Sequence, residues 1–434
     1  MRIVQITPGS GGTFYCENCL RDVAVVQALR RLGHDVVMTP MYLPLFVDAS
    51  AGVAQGVPVF FGGINVYLQQ KLALFRKTPR WLDRLFDAPW MLKWAAGREG
   101  STDAADLGPM TLSMLRGEDG RQRKELARLV AWLHDEARPD VVHISNALLL
   151  GLAAEIKRAL NVPIVCSLQD EHTWLDAMGK PYALRCWQAM ADNARHVDAF
   201  AAVSRWYAQE MGRRMALPPE RVHMVYLGIE LDDIEGARTA PQPPVIGYLS
   251  RLCGGHGLDH LVEAFIRLKR EPALSDLTLR ATGGITPADR PFVDGLVEKL
   301  RRAGVADDVE FLPDFDRAAR HAFLESLSVL SVPVPQGEAF GSFILEALAH
   351  AVPVVEPQAG AFPEIIEATG GGVVYDPDVE GALDQALAGL LLDPARAETL
   401  GLQGRAVVRQ RFTVDVMAGN LAALYHRLTR GAES

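Results

Sequence analysis

The sequence predicts an α/β protein built of two parallel-sheet domains, and three observations carry that expectation. Its 434 residues exceed what one ordinary hydrophobic core organises. Strand-like apolar runs alternate with helical ones along most of the chain, the pattern of a parallel sheet covered by helices on both faces. The alternation breaks at Ala237-Arg238-Thr239-Ala240-Pro241-Gln242-Pro243-Pro244, a proline-rich stretch without helical period, and then restarts. That stretch reads as a linker.

In the first half, Ile3–Thr7 reads as a strand, followed by a glycine-rich turn and a helix from about Leu20 to Leu32. Gly33-His34-Asp35 closes that helix and Val36–Thr39 begins the next strand. Val141–Ile144 and Pro163–Ser167 read as buried strands flanking a helix over Leu150–Leu160, and Phe200–Ser204 and Val222–Tyr226 continue the series. After the linker come a strand at Val245–Leu249, a glycine turn, a helix over Leu258–Lys269 and a strand at Leu277–Ala281. Val309–Leu312, Ser328–Val332 and Val352–Val355 are further strands, and Thr413–Leu428 is an amphipathic helix placed to brace the first domain.

Hydrophobic residues make up 49% and charged residues 22%, an ordinary globular balance. A formal net charge of −9 repels nucleic acid, so an anionic ligand needs local helix N-termini or a single Arg. The first apolar run is too short for a signal peptide, no run approaches about 18 uninterrupted apolar residues, and five cysteines make no disulfide framework. The expectation is a soluble cytoplasmic enzyme. Gln70–Gly97 departs from the regular pattern: Trp81, Trp90 and Trp94 alternate with Lys71, Arg76, Arg80, Arg84 and Lys93. Such a segment can lie on an anionic membrane surface as a peripheral contact through 70–97, and its plainer reading is a helical insertion packed on the first domain.

The densest chemical signal is Gly337-Glu338-Ala339-Phe340-Gly341-Ser342, running into a helix that carries Glu346. Backbone N–H groups in a glycine-flanked loop and the positive end of a helix suit a diphosphate. Two carboxylates, one in the loop and one in the first helical turns, can reach separate hydroxyls of one ligand. The run resembles the family-4 retaining glycosyltransferases of the GT-B fold, which carry two glutamates with seven residues between. The resemblance continues through Ala351–Val355, Ala359–Ile366 and Gly371–Pro377, covering the C-terminal half and, more loosely, the N-terminal half.

The resemblance implies two Rossmann-like domains with parallel sheets facing across a cleft. It implies an acceptor domain over 1–236 with a helical insertion at about 70–125, a donor domain over 243–411, and a helix over 412–434 returning to the first domain. Glu338 would hold hydroxyls of the donor sugar and Glu346 the ribose, with Phe340, Gly341 and Ser342 offering backbone donors. Arg251, after the first strand of the donor domain, would clamp the diphosphate, for which its fork is suited. The family's Lys five residues later is replaced by His256, which substitutes only when protonated; donor turnover that strengthens toward pH 6 is the corresponding expectation. Gly11, Gly12 and Thr13, in the loop after the first strand, would lie near the transferred sugar. Gln169 stands where the family often has a His, with Asp170 and His172 beside it.

Two further motifs suggest other chemistry. Cys16-Glu17-Asn18-Cys19 lacks the second Cys pair of a zinc site, and Asp314-Phe315-Asp316 reads as a surface turn. No metal or other cofactor is expected. The implied partners are a nucleotide-sugar donor and a sugar, lipid-linked or small-molecule acceptor, with no nucleic acid. A GT-B sugar-nucleotide epimerase and a catalytically degenerate GT-B binding protein remain the alternatives to a retaining transferase.

Overall fold

The protein is described by a computed structural model covering residues 1–8, 17–41, 104–232, 234 and 240–431, the side chains of 17–20 and 104–106 excepted. It divides into two compact units. The first unit takes in Asn18–Tyr226 with the opening strand, and regains the chain from Val414 onward; the second spans Leu227–Thr413.

The first unit is built on a six-stranded sheet of β1 (Arg2–Thr7), β2 (Asp35–Pro40), β3 (Val141–Ile144), β4 (Ile164–Leu168), β5 (Ala199–Ala202) and β6 (Val222–Met224). Every pairing is parallel and the order is β2-β1-β3-β4-β5-β6. β3, β4 and β5 are buried along their whole length, as continuous apolar runs covered on both faces should be. Its helices are α1 (Glu17–Arg31), α2 (Ala104–Leu115), α3 (Arg123–Trp132), α4 (Ala153–Leu160), α5 (Glu171–Ala177), α6 (Tyr182–Asn193), α7 (Arg205–Met215) and, at the chain's end, α15 (Val414–Gly431). α15 belongs to this unit through specific polar contacts. Tyr425 on its buried face places its hydroxyl 2.5 Å from Nδ1 of His143 on β3, whose Nε2 lies 2.8 Å from Ser167 Oγ on β4. Burial pushes His143 down to about 3, so the imidazole is neutral and serves as a polar rivet inside the core.

The second unit repeats the plan with β7 (Val245–Leu249), β8 (Thr278–Thr282), β9 (Val309–Phe311), β10 (Val329–Leu330), β11 (Val354–Pro357) and β12 (Gly372–Tyr375). Its helices are α8 (Leu258–Leu268), α9 (Arg290–Ala303), α10 (Arg317–Glu325), α11 (Ser342–Ala349), α12 (Phe362–Thr369), α13 (Ala382–Leu391) and α14 (Pro394–Arg411). The order is β12-β11-β10-β7-β8-β9, again all parallel. The chain moves outward from β7 to β9 and then crosses back to β10 on the other side of β7. Loops leaving β7 and β10 therefore diverge from the carboxyl edge at a topological switch point, where open α/β sheets hold ligands.

The main differences from the sequence reading are local. The expected strand Ser328–Val332 is regular only over Val329–Leu330: Ser331 N still donates to Gly247 O of β7 at 3.0 Å, and the ladder is lost at Val332, whose N–H turns to a side chain. Ser331 Oγ donates to Val355 O at 2.6 Å, and Val332 N donates to the Glu356 carboxylate at 3.0 Å. The helix expected over Leu150–Leu160 is a 3-10 turn, Ala147–Leu152, that passes into α4. No helix among the described residues is long and apolar enough to cross a membrane.

Glu356 is fully buried on β11. Burial pushes its carboxyl well above the ordinary range, against the single opposing hydrogen bond from Val332. A folded-state value above the unfolded one means that its contribution, present below pH ~4.5, is lost as pH rises through the folded value. Glu356→Gln, which cannot ionise, is therefore expected to be more stable than the wild type at pH 7–8 by roughly 1–3 kcal/mol. The difference should shrink toward pH 4 in urea titrations; a gap that stays constant with pH would contradict the assignment.

Candidate functional site

The loop after β7 is shaped by a buried tyrosine and two left-handed glycines. Tyr248 is fully buried, and its hydroxyl lies 3.1 Å from His256 O and 3.3 Å from Arg251 O, so one side chain gathers both ends of the Arg251–His256 segment. Gly257 (φ +79°) sits so close to the segment after β10 that a Cβ would meet Pro333 O at 2.0 Å. The two diverging loops are therefore in backbone contact where they leave the sheet.

Arg251 does not float in this loop. Its Nε and Nη2 each lie 2.9 Å from one oxygen of Asp289, and Nη2 is also 3.1 Å from Thr286 Oγ1. Burial opposes the Asp289 charge, but bonds from Arg251 and Thr286 outweigh it and hold the carboxyl below its usual range. His256 places Nδ1 3.2 Å from Ser250 Oγ and 3.8 Å from Glu338 Oε1. Burial first, then the Arg251 charge, pull His256 below its ordinary 6.5, with Asp289 pulling the other way. The expectation of a protonated His256 thus meets an environment that favours the neutral ring.

The loop carrying Glu338 is locked by close backbone approaches. Ala361 N donates to Glu338 O at 3.0 Å, and a Cβ on Gly360 would meet Glu338 N at 2.6 Å. Ala339 and Phe340 are buried, so the Phe340 side chain anchors the loop while Glu338, between them and the β7 loop, keeps its carboxylate beside His256. Gly341, at φ +87°, is the N-cap of α11, and Ser342 opens that helix. Glu346 follows one turn later on α11. Its Oε2 lies 3.1 Å from Arg320 Nε of α10, whose Nη1 also donates to Phe315 O. Asp316, of the Asp-Phe-Asp turn, caps α10 through a 2.8 Å bond from Ala319 N. Among the described residues, no group of three or more His, Cys, Asp or Glu side chains could hold a metal ion.

The second unit thus brings Arg251, His256 and Glu338 together, with Gly341 and Ser342 at the helix end and Glu346 further along that helix. Gln169, Asp170 and His172 belong to the first unit, at the carboxyl end of β4. Gln169 is buried; its Nε2 donates to Ser145 O, and its backbone N–H donates to Glu171 Oε2 at 2.8 Å. Asp170 takes a left-handed backbone at φ +90° and accepts a bond from Thr173 Oγ1 at 2.9 Å. His172 Nδ1 lies 3.3 Å from Asp170 Oδ1, and the ring packs edge-on to Trp206. Gly11, Gly12, Thr13, Cys16 and the 70–97 segment lie outside the described residues, as does the Cys19 side chain.

The sequence reading passed over Asp289, Thr286, Tyr248, Glu171 and Arg320. Glu171 accepts from Ala147 N, Gln169 N and Tyr207 Oη at 2.6–2.8 Å, tying together the ends of β3, β4 and the start of α7. Thr286-Pro287-Ala288-Asp289 has a Thr-x-x-acid spacing like that of a capping box, but the helix begins only after it, at Arg290, with Asp289 at the N-cap position.

Known proteins agree with this architecture. The family described as Glycosyltransferase Family 4 matches residues 94–233, and Glycosyl transferases group 1 matches residues 232–407. An alpha-maltose-1-phosphate synthase of Mycolicibacterium smegmatis is 30% identical over 318 residues, 67% of this chain and 79% of that protein. An MMP alpha-(1->4)-mannosyltransferase of Mycolicibacterium hassiacum is 26% identical over 303 residues, 66% of this chain and 70% of that one. Among solved structures, Anabaena HepE in complex with UDP and glucose superposes with a TM-score of 0.69 at 18% identity, covering 99% of this chain and 100% of its own.

Proposed function

The chain belongs to the family-4 glycosyltransferases of the GT-B fold, and from that premise we propose that it moves a sugar from a nucleoside diphosphate onto an acceptor hydroxyl with retention of anomeric configuration. The observation that carries the reading is the convergence of Arg251, His256 and Glu338 on the diverging loops of β7 and β10. A diphosphate there meets the Arg251 guanidinium and the positive end of α11. Glu338 accepts hydrogen bonds from donor-sugar hydroxyls, and Glu346 accepts from the ribose.

In the proposed reaction the bond from the anomeric carbon to the diphosphate oxygen lengthens first and leaves an oxocarbenium-like centre. Arg251 and the helix end stabilise the departing charge. The acceptor oxygen enters on the same face, and its proton passes to the departing phosphate oxygen, so no separate base is required. The reading needs no metal, and it places the protein in the cytoplasm with residues 70–97 as the part that would touch a membrane surface. Nucleotide release from UDP-, GDP- and ADP-sugars tests the donor half, and the NMR coupling of the product's anomeric proton tests retention. Release without any acceptor-dependent product, or a product of inverted configuration, would overturn it.

His256 supplies a pH prediction. Neutral in the free protein, it gains a proton more readily once a diphosphate sits beside it, so binding and protonation are linked. Affinity for the nucleotide sugar should therefore rise as pH falls from 7.5 to 5.5, by at most about tenfold per unit. A nucleotide sugar is the right probe, because its diphosphate has no second ionisation near neutrality. Titration calorimetry of wild type and His256→Gln checks this: the variant should show a flat profile.

A further inference from the structure

Arg251 is held from behind by a small closed network built on the loop between β8 and α9. Thr286 N and Thr286 Oγ1 both donate to Asp289 Oδ2 at 2.7 Å, and Asp289 N donates back to Thr286 O at 3.0 Å. The Thr286 hydroxyl, spent as a donor on Asp289, then accepts from Arg251 Nη2. Asp289 and Thr286 are buried, whereas the Arg251 side chain retains 29% of its exposure. The loop that carries them is pressed against the Arg251 loop: Leu252 N donates to Gly284 O at 3.0 Å, and a Cβ on Gly283 (φ +134°) would meet Ser250 O at 2.2 Å.

We propose that Asp289, supported by Thr286, is a positioning residue for donor binding: it fixes the Nε–Nη2 edge of Arg251 and so sets the plane in which the guanidinium meets the diphosphate. The inference rests on the reading of Arg251 as the diphosphate ligand. A planar guanidinium makes bidentate contacts only in one plane, so setting that plane before the ligand arrives removes the cost of ordering it on binding. The same carboxylate also offsets the Arg251 charge. The physical question is therefore whether orientation or neutralisation wins, and the test separates them.

The full-length protein is titrated with UDP, GDP and ADP, and the tightest of the three is used for a double-mutant cycle of Asp289→Asn and Arg251→Ala, with Tm recorded for each variant. Asp289→Asn should weaken binding about fivefold or more beside Arg251 and by less than about twofold in the Arg251→Ala background. Its effect on Tm should be smaller in the Arg251→Ala background, because the Arg251–Asp289 bonds it breaks are already absent there, so binding is compared at a temperature where every variant is folded. In steady state the loss should fall on KM for the donor rather than on kcat. Thr286→Val, which removes one hydroxyl, should show a smaller loss of the same pattern. Equal weakening in both backgrounds would reduce Asp289 to a loop-folding role, and tighter binding in Asp289→Asn would mean that it competes with the diphosphate; either result overturns the proposal. If Arg251→Ala binds as well as wild type, the reading of Arg251 itself fails, which is a different outcome.

Discussion

Glu338→Ala is expected to lower donor turnover about 100-fold while changing stability by less than about 1 kcal/mol. The estimate follows from a carboxylate accepting hydroxyl hydrogen bonds in a water-poor loop, each worth about 1.5–3 kcal/mol when one partner is charged. The loop is held by backbone and apolar contacts as well: Glu338 O accepts from Ala361 N, and Ala339 and Phe340 are buried. Glu338→Gln keeps an acceptor oxygen without the charge and should fall between. Initial rates of nucleotide release and a thermal melt check both halves. Turnover within threefold of wild type would remove Glu338 from the sugar site, and a large drop in Tm would make it structural.

The largest effect on stability is expected from Gly257→Ala. The backbone there is left-handed, costing a residue with a Cβ about 1–2 kcal/mol, and the Cβ would meet the Pro333 carbonyl oxygen at 2.0 Å. Pro333 belongs to the segment that runs into the Glu338 loop, so one loop must yield. We expect about 3 kcal/mol or more of destabilisation, with weakened donor binding because both ligand loops shift. Gly212→Ala on α7 is the matched control: nothing lies within 4 Å of its Cβ and its backbone is helical. Alanine there should be neutral or stabilising by about 0.5–1 kcal/mol. Similar urea midpoints for the two variants would contradict this account of Gly257.

Much of the architecture was legible because parallel strands buried on both faces leave unbroken apolar runs, as in Val141–Ile144 and Val245–Leu249. The start of α11 at Ser342 was legible too, since glycine marks the turn before it. What could not be read were partnerships set by the crossovers. Asp289 lies 38 residues beyond Arg251 and meets it only because β7 and β8 are neighbours in the sheet. Gln169 reads as a ligand-facing amide, yet its side chain bonds to the Ser145 carbonyl, a contact created by the pairing of β3 with β4. Nor does the spacing that suggests His256 as a phosphate ligand carry the burial that keeps its ring neutral. That β10 would stop after two residues depends on Glu356, whose carboxyl takes the N–H that a longer strand would have used.

The central claim, that the β7 and β10 loops form a nucleoside diphosphate-sugar site, is tested most directly by thermal melts of wild type and Arg251→Ala with UDP, GDP and ADP. A ligand at 100 times its Kd stabilises the folded state by about 2.7 kcal/mol. One diphosphate should raise the wild-type Tm by several degrees and its monophosphate by less, with Arg251→Ala losing most of the shift. If none of the three moves the wild-type Tm, or if Arg251→Ala keeps the full shift, the site has been placed wrongly.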